Sequence, residues 1–130
     1  SLHAPEDGLR EELVPLARRW PIREVLKAAD AYSAATGRRV TYEYVLLARV
    51  NDSPAQARAL AQLLSGRLAH VNLIPFNPAP GLPFQRPPSP RVEAFRRELL
   101  RRGVDVTVRR SRGVRIQAGC GQLRAQQVDT

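Results

Sequence analysis

Cys120 is the one cysteine of the chain, and it sits in Ala118-Gly119-Cys120-Gly121-Gln122, where no helix or strand period would bury it. Flanking glycines let a backbone approach a ligand closely. Arg109, Arg110, Arg112 and Arg115 lie nearby in sequence and favour a thiolate, the form in which sulfur is a nucleophile. The alternative is an inert packing cysteine. Asn77, between Phe76 and Pro78, carries an amide that either caps a turn or both donates to and accepts from a ligand. His3 reads as a ligand contact, an acid or base, or a satisfied strand-end residue, and His70, inside an apolar stretch, as structural. No Cys or His cluster has zinc or iron–sulfur spacing, so any metal must be held by residues from elsewhere.

The net charge of +9 comes from 21 basic against 12 acidic side chains in 130 residues. Of these basic residues only Lys27 is lysine. The span from Arg96 to Arg124 holds nine arginines and two acids, +7 of the total. Planar guanidinium forks suit phosphate oxygens and base edges, which makes nucleic acid the natural partner; a solvated arginine surface is the alternative. A single cysteine excludes an internal disulfide, and no apolar run approaches the ~20 residues of a membrane helix. A soluble, cytoplasmic protein is expected. The absence of Met and the start at Ser1 suggest a piece of a longer chain.

These residues need a scaffold, and the periodicity supplies one. Leu9, Leu13, Val14 and Ala17 form a helical stripe that Pro15 must break or kink. Pro21 opens a second helix with Ile22, Val25, Leu26, Ala29 and Tyr32 on one side and Gly37 as its stop. Residues 39–47 (RVTYEYVLL) read as a strand buried on both faces at its end. Asn51-Asp52-Ser53-Pro54 is a turn, an N-cap and an N1 proline, opening a helix that runs through Leu60, Leu63 and Leu64 to Gly66. Residues 69–74 are the next strand. Seven of the 11 prolines fall between Pro75 and Pro90, which predicts a long ordered loop or lid. A helix with Val92, Phe95, Leu99 and Leu100 follows to Gly103, and Val104, Val106 and Val108 alternate into a strand, with a glycine-rich tail beyond. Strands separated by helices should be parallel, with right-handed crossovers. The fold class is α/β, an open sheet or part of a barrel, with Ser1-Leu2-His3 as the end of a preceding strand. In such folds functional groups gather at the C-terminal ends of strands. Those ends are 1–3, 47–52, 74–77 and 110–120.

SLHAP at the start, TYEYVLLARVND, HVNLIPFNP and CGQLRA, in this order, resemble the C-terminal part of the radical S-adenosylmethionine (SAM) RNA methyltransferases that methylate C2 of adenine in ribosomal RNA and tRNA. The resemblance runs along nearly the whole chain. It implies the second half of a partial (β/α) barrel with parallel strands, so that residues 1–130 would be one C-terminal portion. It matches Ser1, Leu2 and His3 to a strand-end motif contacting SAM, and Asn77 to the asparagine holding the same cofactor. Cys120 matches the cysteine that first accepts a methyl group from one SAM. Its S-methyl group then loses a hydrogen atom to the 5′-deoxyadenosyl radical from a second SAM, and the methylene radical adds to the adenine ring. Adenine C2 is electron-poor, which is why a radical route is needed.

The resemblance further implies a 4Fe-4S cluster, a reducing electron donor, ribosomal RNA and tRNA as partners, no membrane and a monomer. The three-cysteine motif for the cluster and the Gly-Glu cofactor motif are absent from this chain, and the family's resolving cysteine belongs to its N-terminal portion. On this reading the chain alone is inactive. Before Cys120 the sequence is Gly113 to Gly119 (GVRIQAG) where the family usually has acidic residues and paired alanines. A sister family methylating C8 of adenine shares much of the pattern, and a non-catalytic arginine-rich α/β RNA-binding module is the alternative of a different class. Arg109, Arg110 and Arg112, beside the strand end leading to Cys120, are the expected RNA contacts; the arginines of the preceding helix are expected to be solvated.

Overall fold

The structure, a computed structural model, describes residues 1–109. Cys120, Arg110, Arg112 and the glycine-rich tail lie outside the described residues. Local chemistry sets the elements. Pro15 cannot donate an amide, so the first helix, α1, ends at Asp7–Leu13 and the chain continues as a 3-10 turn over Pro15–Arg18. Helix α2 (Ile22–Thr36) stops at Gly37, whose φ of 71° lies in the left-handed region and whose amide donates to the Ser33 carbonyl. Strand β1 is Val40–Leu46. Helix α3 (Pro54–Leu64) opens on a capping box: Ser53 Oγ accepts from the Gln56 amide at 3.1 Å, and Gln56 Oε1 accepts from the Ser53 amide at 3.0 Å. Strand β2 (Ala69–Pro75), helix α4 (Ser89–Arg101) and strand β3 (Asp105–Val108) complete the order.

The three strands form a parallel sheet in the order β1-β2-β3, as the α/β expectation requires. Val40 stands opposite Ala69 and Leu46 opposite Pro75; Asn72 stands opposite Thr107. The two faces carry different clusters. On one, Tyr42, Tyr44, Leu46, Val71 and Leu73 pack against Leu26 of α2, Leu60 and Leu64 of α3, and Phe95 and Leu99 of α4. The other face is apolar only toward the C-terminal strand ends, where Val45, Leu47, Ile74 and Phe76 meet Leu13, Val14 and Ala17. Residues 1–3 run beside β1, with the Leu2 amide donating to the Glu43 carbonyl at 2.8 Å and the Leu2 side chain buried in the first cluster.

Some details differ from the sequence reading. Tyr32 and Leu100, each at the end of a helical stripe, are 46% and 43% exposed; in α4 it is Leu99 that enters the core, and the helical step turns its neighbour Leu100 away. The proline-rich stretch is shorter than its prolines suggested: Pro75 closes β2, and Ser89 and Pro90 form the first turn of α4, where a proline's missing amide costs nothing.

Candidate functional site

The C-terminal strand ends are where the polar residues become buried. His3 is 2% exposed and has a φ of 62°, a conformation that costs a non-glycine residue roughly 1–3 kcal/mol and persists only when its surroundings hold it. Its Nδ1 accepts from the Val45 amide at 3.0 Å, and its carbonyl accepts from Asn51 Nδ2 at 2.8 Å. Burial, helped by nearby positive charge including that of Arg10, pushes the imidazole down to about 3. His3 is therefore neutral, with its proton on Nε2, because Nδ1 is an acceptor.

Asn51 is fully buried. Its Oδ1 accepts from the Leu47 amide at 2.7 Å, and its Nδ2 donates to both the His3 and Val45 carbonyls, the latter at 2.7 Å. Its own carbonyl accepts from the Tyr44 hydroxyl at 2.8 Å, a phenol that burial holds well above its ordinary range. Next to it, buried Asp52 accepts from the Arg49 amide at 3.0 Å and reaches Arg91 Nε of α4 at 3.4 Å. The sequence marked Asn51 and Asp52 as turn residues at the strand end 47–52 and assigned neither a role. Their burial beside β1 was signalled by nothing local.

The proline-rich loop is fastened to the same rim. The Gln85 carbonyl accepts from the Ala48 amide at 2.9 Å, and Gln85 Oε1 accepts from Arg49 at 3.0 Å. Asn77 is half-buried, and its Oδ1 accepts from Arg86 Nη1. Ser1 is exposed. His3 thus lies beside the C-terminal end of β1 and Asn77 just past that of β2, while Ser1 precedes Leu2, which is bonded to Glu43 within β1; the His3 ring spends one nitrogen on the fold.

Arg109 follows β3, and its amide donates to the Leu73 carbonyl at 2.8 Å. Its guanidinium meets Glu43 Oε2 of β1 at 3.1 Å, an ion pair that reaches across β2. The arginines of α4 and its C-cap lie at the surface, several engaged by helix neighbours: Arg96 pairs with Glu93, and Arg101 and Arg102 with Glu98. His70 is half-buried in β2, with an Nδ1 that has no partner among the described residues. Among the described residues no group of three His, Cys, Asp or Glu could hold a metal ion, and no helix is long and apolar enough to cross a membrane.

No protein-family model matches the chain. A solved radical SAM methyltransferase from Sphaerobacter thermophilus superposes with a TM-score of 0.86 at 59% identity, covering 95% of this chain and 36% of that one. Among curated relatives, the chain is 58% identical over 125 residues to a probable dual-specificity RNA methyltransferase RlmN of Symbiobacterium thermophilum. It is 53% identical over 129 residues to one of Salinispora arenicola. These alignments cover 95% and 99% of the chain, and 34% of each relative. By fold and by sequence the chain belongs to the radical SAM methyltransferases. Within that class its relatives carry the RlmN name, and it spans about a third of their length.

Proposed function

We propose that this chain is the C-terminal part of an RNA methyltransferase that methylates C2 of adenine in ribosomal RNA and tRNA, with SAM bound at the strand-end rim and Cys120 as the methyl carrier. The observation that supports this most is identity above one half, along nearly the whole chain, to a relative named as a probable RNA methyltransferase, with His3 and Asn77 each at the C-terminal end of a strand. When bound, SAM supplies the methyl group and, at an iron–sulfur cluster, the radical. The donor set suits such a ligand. His3 retains an Nε2–H donor, Ser1 offers a hydroxyl, and the Asn77 amide is oriented by Arg86. These groups hold and orient a polar cofactor at a rim backed by a buried cluster, in which Val45, Leu47, Ile74 and Phe76 pack against Leu13, Val14 and Ala17. The cluster is different. With 1 cysteine in the chain, its ligands must come from the remainder of the enzyme, together with the cysteine that resolves the RNA adduct.

Arg110 and Arg112 are the proposed RNA contacts, and Arg109 joins them by exchanging Glu43 for phosphate. The full-length protein is the object to test. Cys120→Ala should abolish RNA methylation while SAM binding and cluster content stay at wild-type levels. Methylated RNA from that variant at a near wild-type rate would exclude Cys120 as the carrier. Identifying the methylated carbon by nuclease digestion and mass spectrometry separates C2 from C8.

A further inference from the structure

We propose that Asn51 is the positioning residue of the cofactor rim: its amide fixes the Ser1–His3 segment against the end of β1 and so sets where Ser1 and the His3 ring meet the ligand. The inference rests on the reading of that rim as the SAM site. Asn51 is fully buried, so it acts through other residues. Two of its bonds, to the Leu47 amide and the Val45 carbonyl, close its own loop. A turn-capping asparagine would need no more than these. The third bond reaches the carbonyl of His3, 48 residues away, which is the residue of that segment held at a φ of 62°.

The other restraint on His3 comes from the Val45 amide, itself beside the carbonyl that Asn51 grips. Both tethers of the strained residue therefore pass through the β1 end that Asn51 organises. Loss of the amide leaves the His3 and Val45 carbonyls and the Leu47 amide unpaired in a dry site and frees His3 to relax to negative φ. The His3 ring and Ser1 then move together. Asp52 shares the loop but holds Arg49 and Arg91, neither of which touches residues 1–3 in this structure.

The test uses the full-length, cluster-loaded enzyme and four variants. Asn51→Ala removes all three bonds. Asn51→Asp keeps an acceptor for the Leu47 amide and loses both donors, and it carries the comparison should Asn51→Ala not fold. Ser1→Ala removes a direct contact, and Leu99→Ala is a destabilised control in the helix-facing core. SAM affinity by titration calorimetry, separate KM values for SAM and RNA, and hydrogen exchange of the peptide spanning residues 2–4 are read below the melting temperature.

Both Asn51 variants should weaken SAM by about tenfold or more, leave the RNA KM unchanged, and speed exchange at residues 2–4. Leu99→Ala should melt earlier at wild-type SAM affinity. If the Asn51 variants bind SAM like wild type while Ser1→Ala does not, the positioning role is overturned and the cofactor reading stands. If the Asn51 variants and Ser1→Ala all bind like wild type, the rim is not the SAM site and both fall. Equal weakening of SAM and RNA, with Leu99→Ala behaving the same way, would reduce Asn51 to a fold-stabilising residue and overturn the proposal.

Discussion

The helix-covered face of the sheet and the rim at its C-terminal strand ends are built from the same two strands by opposite means. The face buries Tyr44, Leu60, Leu73, Phe95 and Leu99 almost completely, and its stability comes from apolar area, which is non-directional and indifferent to pH. The rim buries His3, Asn51 and Asp52, and it is held by a handful of directional hydrogen bonds between segments far apart in sequence. An area-based core tolerates small shifts of its helices. A hydrogen-bonded rim fixes positions, which is what a binding site requires, and it becomes sensitive to protons.

Damage to the face should therefore be large in stability and silent in binding. Leu99→Ala, at a site that is 0% exposed, should cost about 2–5 kcal/mol by the lost transfer and the cavity left behind. Denaturant unfolding measures this. A cost below about 1 kcal/mol would mean that the face collapses around the gap, and that it is less tightly packed than its burial indicates.

The rim should instead respond to acid. Because the folded His3 is pushed down to about 3 from an ordinary 6.5, its contribution is fully present above pH 6.5 and is lost progressively as pH falls toward 3. The loss amounts to about 2 kcal/mol by about pH 5. His3→Asn keeps an acceptor for the Val45 amide in a residue that accepts positive φ, and it removes the titrating group. Its stability at pH 5 relative to pH 7.5 should exceed that of wild type, and equal acid sensitivity in the two proteins would exclude His3 as the source.

A smaller effect belongs to Ser53, which caps the helix leaving the rim. Ser53→Ala should cost about 1 kcal/mol, read as a lower midpoint at unchanged slope in urea. Smallest in stability, and visible only in RNA binding, are the arginines. Arg110→Gln with Arg112→Gln should flatten the log–log salt dependence of RNA affinity by about 0.7–0.9 per contact. Arg97→Gln with Arg101→Gln should barely change it, Arg101 already being engaged by Glu98. A larger effect from the helix pair would place the RNA on the other side of the molecule.

The contrast between face and rim also separates what the sequence made legible from what it hid. The face was readable because its information is local: β-branched and aromatic residues at 40–46, a helical stripe ended by Gly37, and an N-cap followed by an N1 proline at Ser53 and Pro54. Ser1, His3 and Asn77 were singled out by motif and by the rule that sites sit at strand ends, and they remain proposals. Asn51 was read as a turn, since its decisive partner lies 48 residues away. The same holds for Arg109, whose ion pair with Glu43 spans 66 residues and depends on the strand order, which no single segment encodes.

The most direct test of the rim as the SAM site is titration calorimetry of SAM into the cluster-loaded, full-length enzyme, comparing wild type with Asn77→Ala. Asn77 sits where β2 gives way to the proline-rich loop and is held by Arg86. A ligand contact there predicts SAM binding weakened by about 1–3 kcal/mol, at a melting temperature close to wild type for the SAM-free protein. Unchanged SAM affinity in a folded, cluster-loaded Asn77→Ala enzyme would contradict the assignment of the rim.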